Sequence, residues 1–208
     1  SNDASPGYFD IGFDFPFYGS DYSQLLINPN GWIGFGEDNT AWDNESIFDA
    51  DSPKNAILGY WDDLNPVCAD NEQGEGYVRY HSNSERMVVW YDDVIHWTND
   101  EIRHDFQIIL FSSGDIDVNY RSIQGVSNDG ATIGIVNNDG DIGQQLPYED
   151  LDLSNELSVS YKLSPEWISL SQYSGNVNYQ DSDNIIVRLL YGFLIPLALP
   201  FALALNLF

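Results

Sequence analysis

Near the start of the chain the odd positions Ile11, Phe13, Phe15 and Phe17 are bulky and apolar, whereas Asp10, Gly12 and Asp14 are small or polar. A period of two places every large side chain on one face of an extended strand. Two further apolar runs, Leu25-Leu26-Ile27 and Trp32-Ile33-Gly34-Phe35, flank Asn28-Pro29-Asn30-Gly31. That tetrapeptide predicts a tight hairpin turn, because Asn and Gly tolerate the positive φ such turns require. Strand-like runs recur at Tyr77–His81, Arg86–Tyr91, Phe106–Phe111, Ile116–Tyr120, Ala131–Val136 and Leu157–Lys162. Between them lie compact polar turns such as Ser82-Asn83-Ser84-Glu85, Ser112-Ser113-Gly114-Asp115 and Asn137-Asn138-Asp139-Gly140. The pattern predicts an all-β chain folded as a two-sheet antiparallel β-sandwich around a Trp- and Tyr-rich core.

Two segments break the rhythm. Glu37–Lys54 is polar and acid-rich, and is expected to be a long loop with one turn of helix, either a loop that carries binding function or a surface excursion pinned to the body by Trp42 and Phe48. A boundary is expected near Leu163-Ser164-Pro165, which divides the chain into a sandwich over 1–163, a short β segment over 164–188 and a tail over 189–208. The short segment could not bury both faces of its strands by itself. The tail Leu189–Phe208 carries no charge and is long enough to span a hydrocarbon core of about 30 Å at about 1.5 Å per residue. Pro196 and Pro200 interrupt it, and no basic residue follows. Three readings of the tail stay open: a degenerate or frame-shifted end, a membrane anchor, and a buried segment.

The string Phe15-Pro16-Phe17-Tyr18-Gly19 with Tyr22, followed by Asn28-Pro29-Asn30-Gly31-Trp32-Ile33-Gly34-Phe35, resembles the nidogen-like β-domain. The likeness continues through Ile57-Leu58-Gly59-Tyr60-Trp61-Asp62-Asp63-Leu64-Asn65-Pro66, Phe106–Phe111, Gly114-Asp115-Ile116 and Ala131–Ile135, and covers residues 9 to 162. Pro165–Ser171 and Ser174–Val177 are similar to the opening of an Ig-like repeat. The resemblance implies a non-catalytic accessory module of secreted bacterial multidomain proteins, among them subtilisin-like proteases. It implies an extracellular or cell-surface location, and contact with extracellular protein or polysaccharide or the spacing of a catalytic domain from the cell. The chain does not begin with Met and shows no signal peptide, so a segment of something larger is expected.

Thirty-three acids against seven lysines and arginines leave a formal charge of −26. Such a charge repels nucleic acid and anionic membrane surfaces, so neither is expected as a partner, the tail apart. The acids themselves are open to three readings: a solvated surface suited to salt, Ca²⁺ binding at Asp/Asn-rich loops, or an acidic cleft. Cys68 is the only cysteine, which rules out an intrachain disulfide and a cysteine-based metal site.

Asp62-Asp63 and Asp92-Asp93 each follow an aromatic residue at a strand end. Neighbours on a strand point to opposite faces, so at most one Asp of each pair can face a shared site. If the two ends adjoin, the pairs are candidates for Ca²⁺ ligation or for a glycosidase acid and base; otherwise they are turn carboxylates. No other cofactor is implied. The turns at Asn128-Asp129-Gly130 and Asn137–Asp141 do not fit an EF-hand, because Gly125 or Ile135 would stand at the first ligand position. His81, His96 and His104 lack metal-motif spacing, His104 and Asp105 point apart on a strand, and no Gly-x-Ser-x-Gly elbow occurs. Trp42 and Trp97 are candidate ligand-stacking surfaces if exposed. The rival readings of the whole are a glycoside hydrolase using the strand-end carboxylates and a membrane-anchored surface domain.

Overall fold

The alternation at the start of the chain is realised as β1 (Tyr8–Phe17), whose Ile11, Phe15 and Phe17 are fully buried while Tyr8, Asp10 and Asp14 face solvent. The computed structural model describes residues 3–37, 40–67, 73–124, 130–146 and 156–163, and the backbone of 201–205. Among the described residues there is no helix. One sheet orders β1, β2 (Ser20–Asn28), β3 (Trp32–Gly34), β4 (Ala56–Trp61), β10 (Thr132–Val136) and β11 (Gly143–Leu146). The second sheet orders β13 (Phe201–Leu205), β12 (Leu157–Leu163), β9 (Ile116–Gln124), β8 (Asn99–Phe111) and β7 (Arg86–His96). The far edge of β7 is shared by β5 (Leu64–Asn65) and β6 (Tyr77–Ser82). All pairings are antiparallel.

The inward faces supply one core, in which Phe15, Phe17, Leu25, Ile33, Ile57 and Tyr60 of the first sheet meet Val89, Tyr91, Phe106, Ile108, Val118, Tyr120 and Tyr161 of the second. Phe106 stacks on Tyr91 with ring centroids 4.5 Å apart and planes within 7°. Polar bolts also cross the layer. The Tyr91 hydroxyl donates to the carbonyls of Asn28 and Trp32, and the Tyr120 hydroxyl to that of Gly59. Gly59 is a point of close approach between the sheets, since a Cβ there would lie 2.7 Å from Ile108. The predicted hairpin turn joins β2 to β3, and Gly31 within it has φ +85° and abuts the Tyr60 carbonyl. At the open side, β1 bulges after Asp10, and Ser82 of β6 donates its hydroxyl to the Ile11 carbonyl. Phe9 meets Tyr80 edge-on at 4.7 Å, so the β1 and β6 edges close against each other.

The core is less rich in tryptophan than the sequence suggested. Trp32 and Trp61 are buried on the outer side of the first sheet, with Ile47, Ala56, Leu58 and Val136, beneath the Glu37–Lys54 loop. The described residues of the loop form turns without a helix. It is anchored by Ile47, which is fully buried, and by the Ala41 carbonyl, which accepts from the Trp61 and Trp32 indoles at 3.1 and 3.4 Å. Trp42 and Phe48, the expected anchors, are half exposed, because the indoles of the sheet already occupy the apolar surface they would cover.

Cys68 and the turn at residues 128–129 lie outside the described residues, as do 164–188 and most of the tail. Within the tail, Phe201–Leu205 runs antiparallel to β12, from Leu163 opposite Phe201 to Val159 opposite Leu205. No helix of the described residues is long and apolar enough to cross a membrane.

Candidate functional site

Five segments converge at one end of the sandwich, and hydrogen bonds fix them to one another. In the β2–β3 turn, Asn30 accepts from the backbone of Asp62 through its carbonyl at 3.3 Å and from that of Leu64 through Oδ1 at 3.1 Å. The segment before β1 joins because Asn28 donates to the Asp3 carbonyl at 2.9 Å and Asn30 Nδ2 lies 3.4 Å from Asp3 Oδ1. The β7–β8 turn joins through the Trp97 amide, which donates to the Asp63 carbonyl at 2.8 Å. The fifth segment is the loop at Ala41, tied to Trp61 immediately before Asp62.

At the base of this end lies a buried pair, Asp62 and His96, with Oδ1 and Nε2 3.4 Å apart. Thr98 donates its amide to His96 Nδ1 at 3.1 Å, so the neutral ring carries its proton on Nε2, facing the carboxylate. Asp62 Oδ1 also accepts from the Asp63 amide at 2.9 Å, whereas Asp62 Oδ2 is buried without a hydrogen-bond partner. Asp63 is half-buried above it, and burial pushes its carboxyl up to about 6 from 3.8. His96 opposes that shift, while Asp3, Asp62 and Asp43 reinforce it. Among the described residues no lysine or arginine acts on Asp63. Trp42 and Trp97 flank this end, each 48% exposed, one beside Ala41 and the other bonded to Asp63 through its backbone.

The second acidic pair lies elsewhere. Asp63 stands opposite Trp97, and Asp93 is four residues back along β7, roughly 13 Å away. Asp92 pairs with Arg79 at 2.8 Å, and Asp93, on a bulge with φ +55°, pairs with Arg103 at 3.0 Å. Arg103 also binds Glu75, Arg121 binds Asp105, and Lys162 binds Asp117, so the outer face of the second sheet is a ladder of opposite charges. A cleft of about 340 Å³ on that face is lined by Asp92, Asp93, Arg103, Asp105 and Arg121, all of them ion-paired. Thus Asp62 and Asp63 do not meet Asp92 and Asp93. Among the described residues, no group of three or more His, Cys, Asp or Glu is arranged to hold a metal ion.

His104 and Asp105 do point apart. Asp105 accepts from Trp90 on the outer face, while His104 is sealed in the core against Tyr60, with ring centroids 4.5 Å apart and neither nitrogen hydrogen-bonded. The Asn137 turn is held by its own Oδ1, which accepts from the Asp141 and Ile142 amides, as a hairpin connection requires.

The sequence model of the NIDO-related (nidogen-related) family matches residues 1–180. The chain belongs to the nidogen-related family. No curated protein and no solved structure shows a significant match to it. For a nidogen-related domain the membership points to an extracellular accessory module. The family match also runs past residue 163 into the segment that resembles an Ig-like opening.

Asp62, Asp63, Trp42 and Trp97 were singled out by residue type alone, and the nidogen-related fold gathers all four at one end. Asp3, Asp43 and the partnership of His96 escaped notice. His96 follows Asp62 by 34 positions, and only the register of β5 on β7, with Leu64 opposite His96, joins them.

Proposed function

We propose that this chain is a non-catalytic binding module of a secreted or cell-surface multidomain protein, and that it contacts an extracellular protein or polysaccharide through the end bearing Trp42 and Trp97. The observation that carries this reading is the disposition of the tryptophans. Trp32 and Trp61 are buried and Trp90 is bonded to Asp105, but Trp42 and Trp97 present half their surface, with no bond to either indole N–H among the described residues. An indole offers a rigid, flat face with a polar edge, suited to stacking on a sugar ring or on a protein side chain. Trp97 is held by its amide bond to Asp63, and Trp42 follows Ala41, whose carbonyl accepts from both buried indoles, which lowers the entropy lost on binding.

The test is retention on a panel of insoluble extracellular polysaccharides and immobilised matrix proteins, comparing the chain with its Trp42→Ala/Trp97→Ala double variant. The reading expects at least one surface that retains the parent chain and loses the variant. Equal retention of both on every surface would overturn it. Release of soluble sugar that Asp63→Asn abolishes would place the chain among the glycoside hydrolases instead.

A further inference from the structure

The acids of this chain fall into two classes. On the outer face of the second sheet Asp92, Asp93, Asp105 and Asp117 each face a lysine or arginine. Around Asp62 the balance is reversed. Among the described residues, Asp62 keeps one carboxylate oxygen buried and unpartnered, and His96 is the side chain drawing Asp63 toward its charged form while Asp3, Asp43 and Asp62 oppose it. A buried carboxylate oxygen without a donor leaves its charge uncompensated, and the Asp62 charge acts on Asp63 above it.

The amide of the half-exposed Trp97 is bonded to Asp63, the half-exposed Trp42 precedes Asp43 in sequence, and indole faces attract organic cations as well as apolar groups. The carboxylates do not converge on a point as metal ligands do, which suits an extended cation carrying several N–H donors. The charge of −26 adds long-range steering toward a positively charged partner.

We propose that the Trp42–Trp97 end docks a lysine- or arginine-bearing segment of a partner protein, the cationic side chain passing the indoles to reach the half-buried Asp63 above the buried Asp62. The inference rests on the binding-module reading and names the chemistry of its partner. The indoles hold the alkyl stem and the cation, and the carboxylates take the N–H groups. Specificity for the cation follows from charge, since a glutamine amide offers N–H groups but no positive charge to answer the two carboxylates.

The experiment is a fluorescence titration of the full chain with an unstructured synthetic peptide of alternating glycine and lysine, against the same peptide with glutamine for lysine. Binding of the lysine peptide should perturb tryptophan emission, and the glutamine peptide should not bind. Asp63→Asn should weaken the lysine peptide about tenfold, and Trp42→Ala or Trp97→Ala about threefold or more. Asp139→Asn, which removes an exposed charge on the β10–β11 turn, controls for diffuse attraction and should change affinity by less than about twofold. Equal losses in Asp63→Asn and Asp139→Asn, equal binding of the two peptides, or binding of glucosamine oligomers in place of the lysine peptide would overturn the inference. If a neutral ligand binds in a manner that needs Trp42 and Trp97 but not Asp63, the basic partner is refuted while the binding module stands.

Discussion

The hydroxyl of Tyr91, on β7 of the second sheet, donates to the Asn28 carbonyl at the end of β2 in the first. It reaches Trp32 as well, at 3.1 Å, so one buried side chain closes both arms of the β2–β3 hairpin against the opposite layer. That hairpin carries Asn30, which orders Asp62 and Leu64. The packing of the core is thereby coupled to the geometry of the acidic end.

Replacing Tyr91 by Phe keeps the ring stack on Phe106 and removes only the hydroxyl. Two buried carbonyls lose a donor, and the expected cost is about 1–3 kcal/mol, read as a lower urea midpoint with an unchanged slope. A variant as stable as the parent would show that the two carbonyls do not depend on Tyr91.

Ile47 is the apolar anchor of the long loop, packed with Trp32 and Trp61. Ile47→Ala should destabilise by about 3 kcal/mol and red-shift tryptophan emission as the two indoles meet water. Phe48→Ala, at a half-exposed site, should shift stability by less than about 1 kcal/mol. Reversal of these two effects would restore the aromatic anchor that the sequence suggested.

His104 sets an acid limit on stability. Burial, with His96 adding, pushes its imidazole down to about 3, against 6.5 when unfolded. The unfolded chain therefore binds the extra proton between these values, and the contribution of His104, complete above pH 6.5, is lost as pH falls. At pH 5 the loss is about 2 kcal/mol. His104→Leu leaves no donor or acceptor stranded, because neither ring nitrogen is bonded, and should flatten the urea midpoint between pH 7 and 5. A variant with the same pH dependence as the parent would exonerate His104.

The fold was legible wherever side chains alternate. β1, the β2–β3 turn, β6, β9, β10 and β12 lie where the sequence places them, whereas β11 and β13 lie outside the predicted runs. β7 and β8 run further than their apolar stretches because Asp92-Asp93 sits on a bulge and a buried polar residue, His104, takes an inward position. The site was legible only as residue types. Nothing local reveals that Ala41 caps two indoles or that His96 faces Asp62, since both depend on register and on loop closure. The exposure of Trp42 has the same origin, because Trp32 and Trp61 use the outer side of the first sheet.

Asp63→Asn should raise the melting temperature above pH 6 and leave it unchanged below pH 4. The Asp63 carboxyl is raised when folded, so the folded chain holds a proton that the unfolded chain has lost between pH 4 and 6. Above that window the buried charge opposes folding, and the amide removes it. The gain is moderated by solvent at a half-exposed side chain.

The most direct test of the acidic end is a carbon-detected NMR titration of the Asp63 carboxyl, alone and with the lysine peptide. The account predicts a midpoint near 6 for the free chain, falling toward the ordinary aspartate range when a cation is bound. A midpoint near 3.8 that the peptide does not move would contradict it.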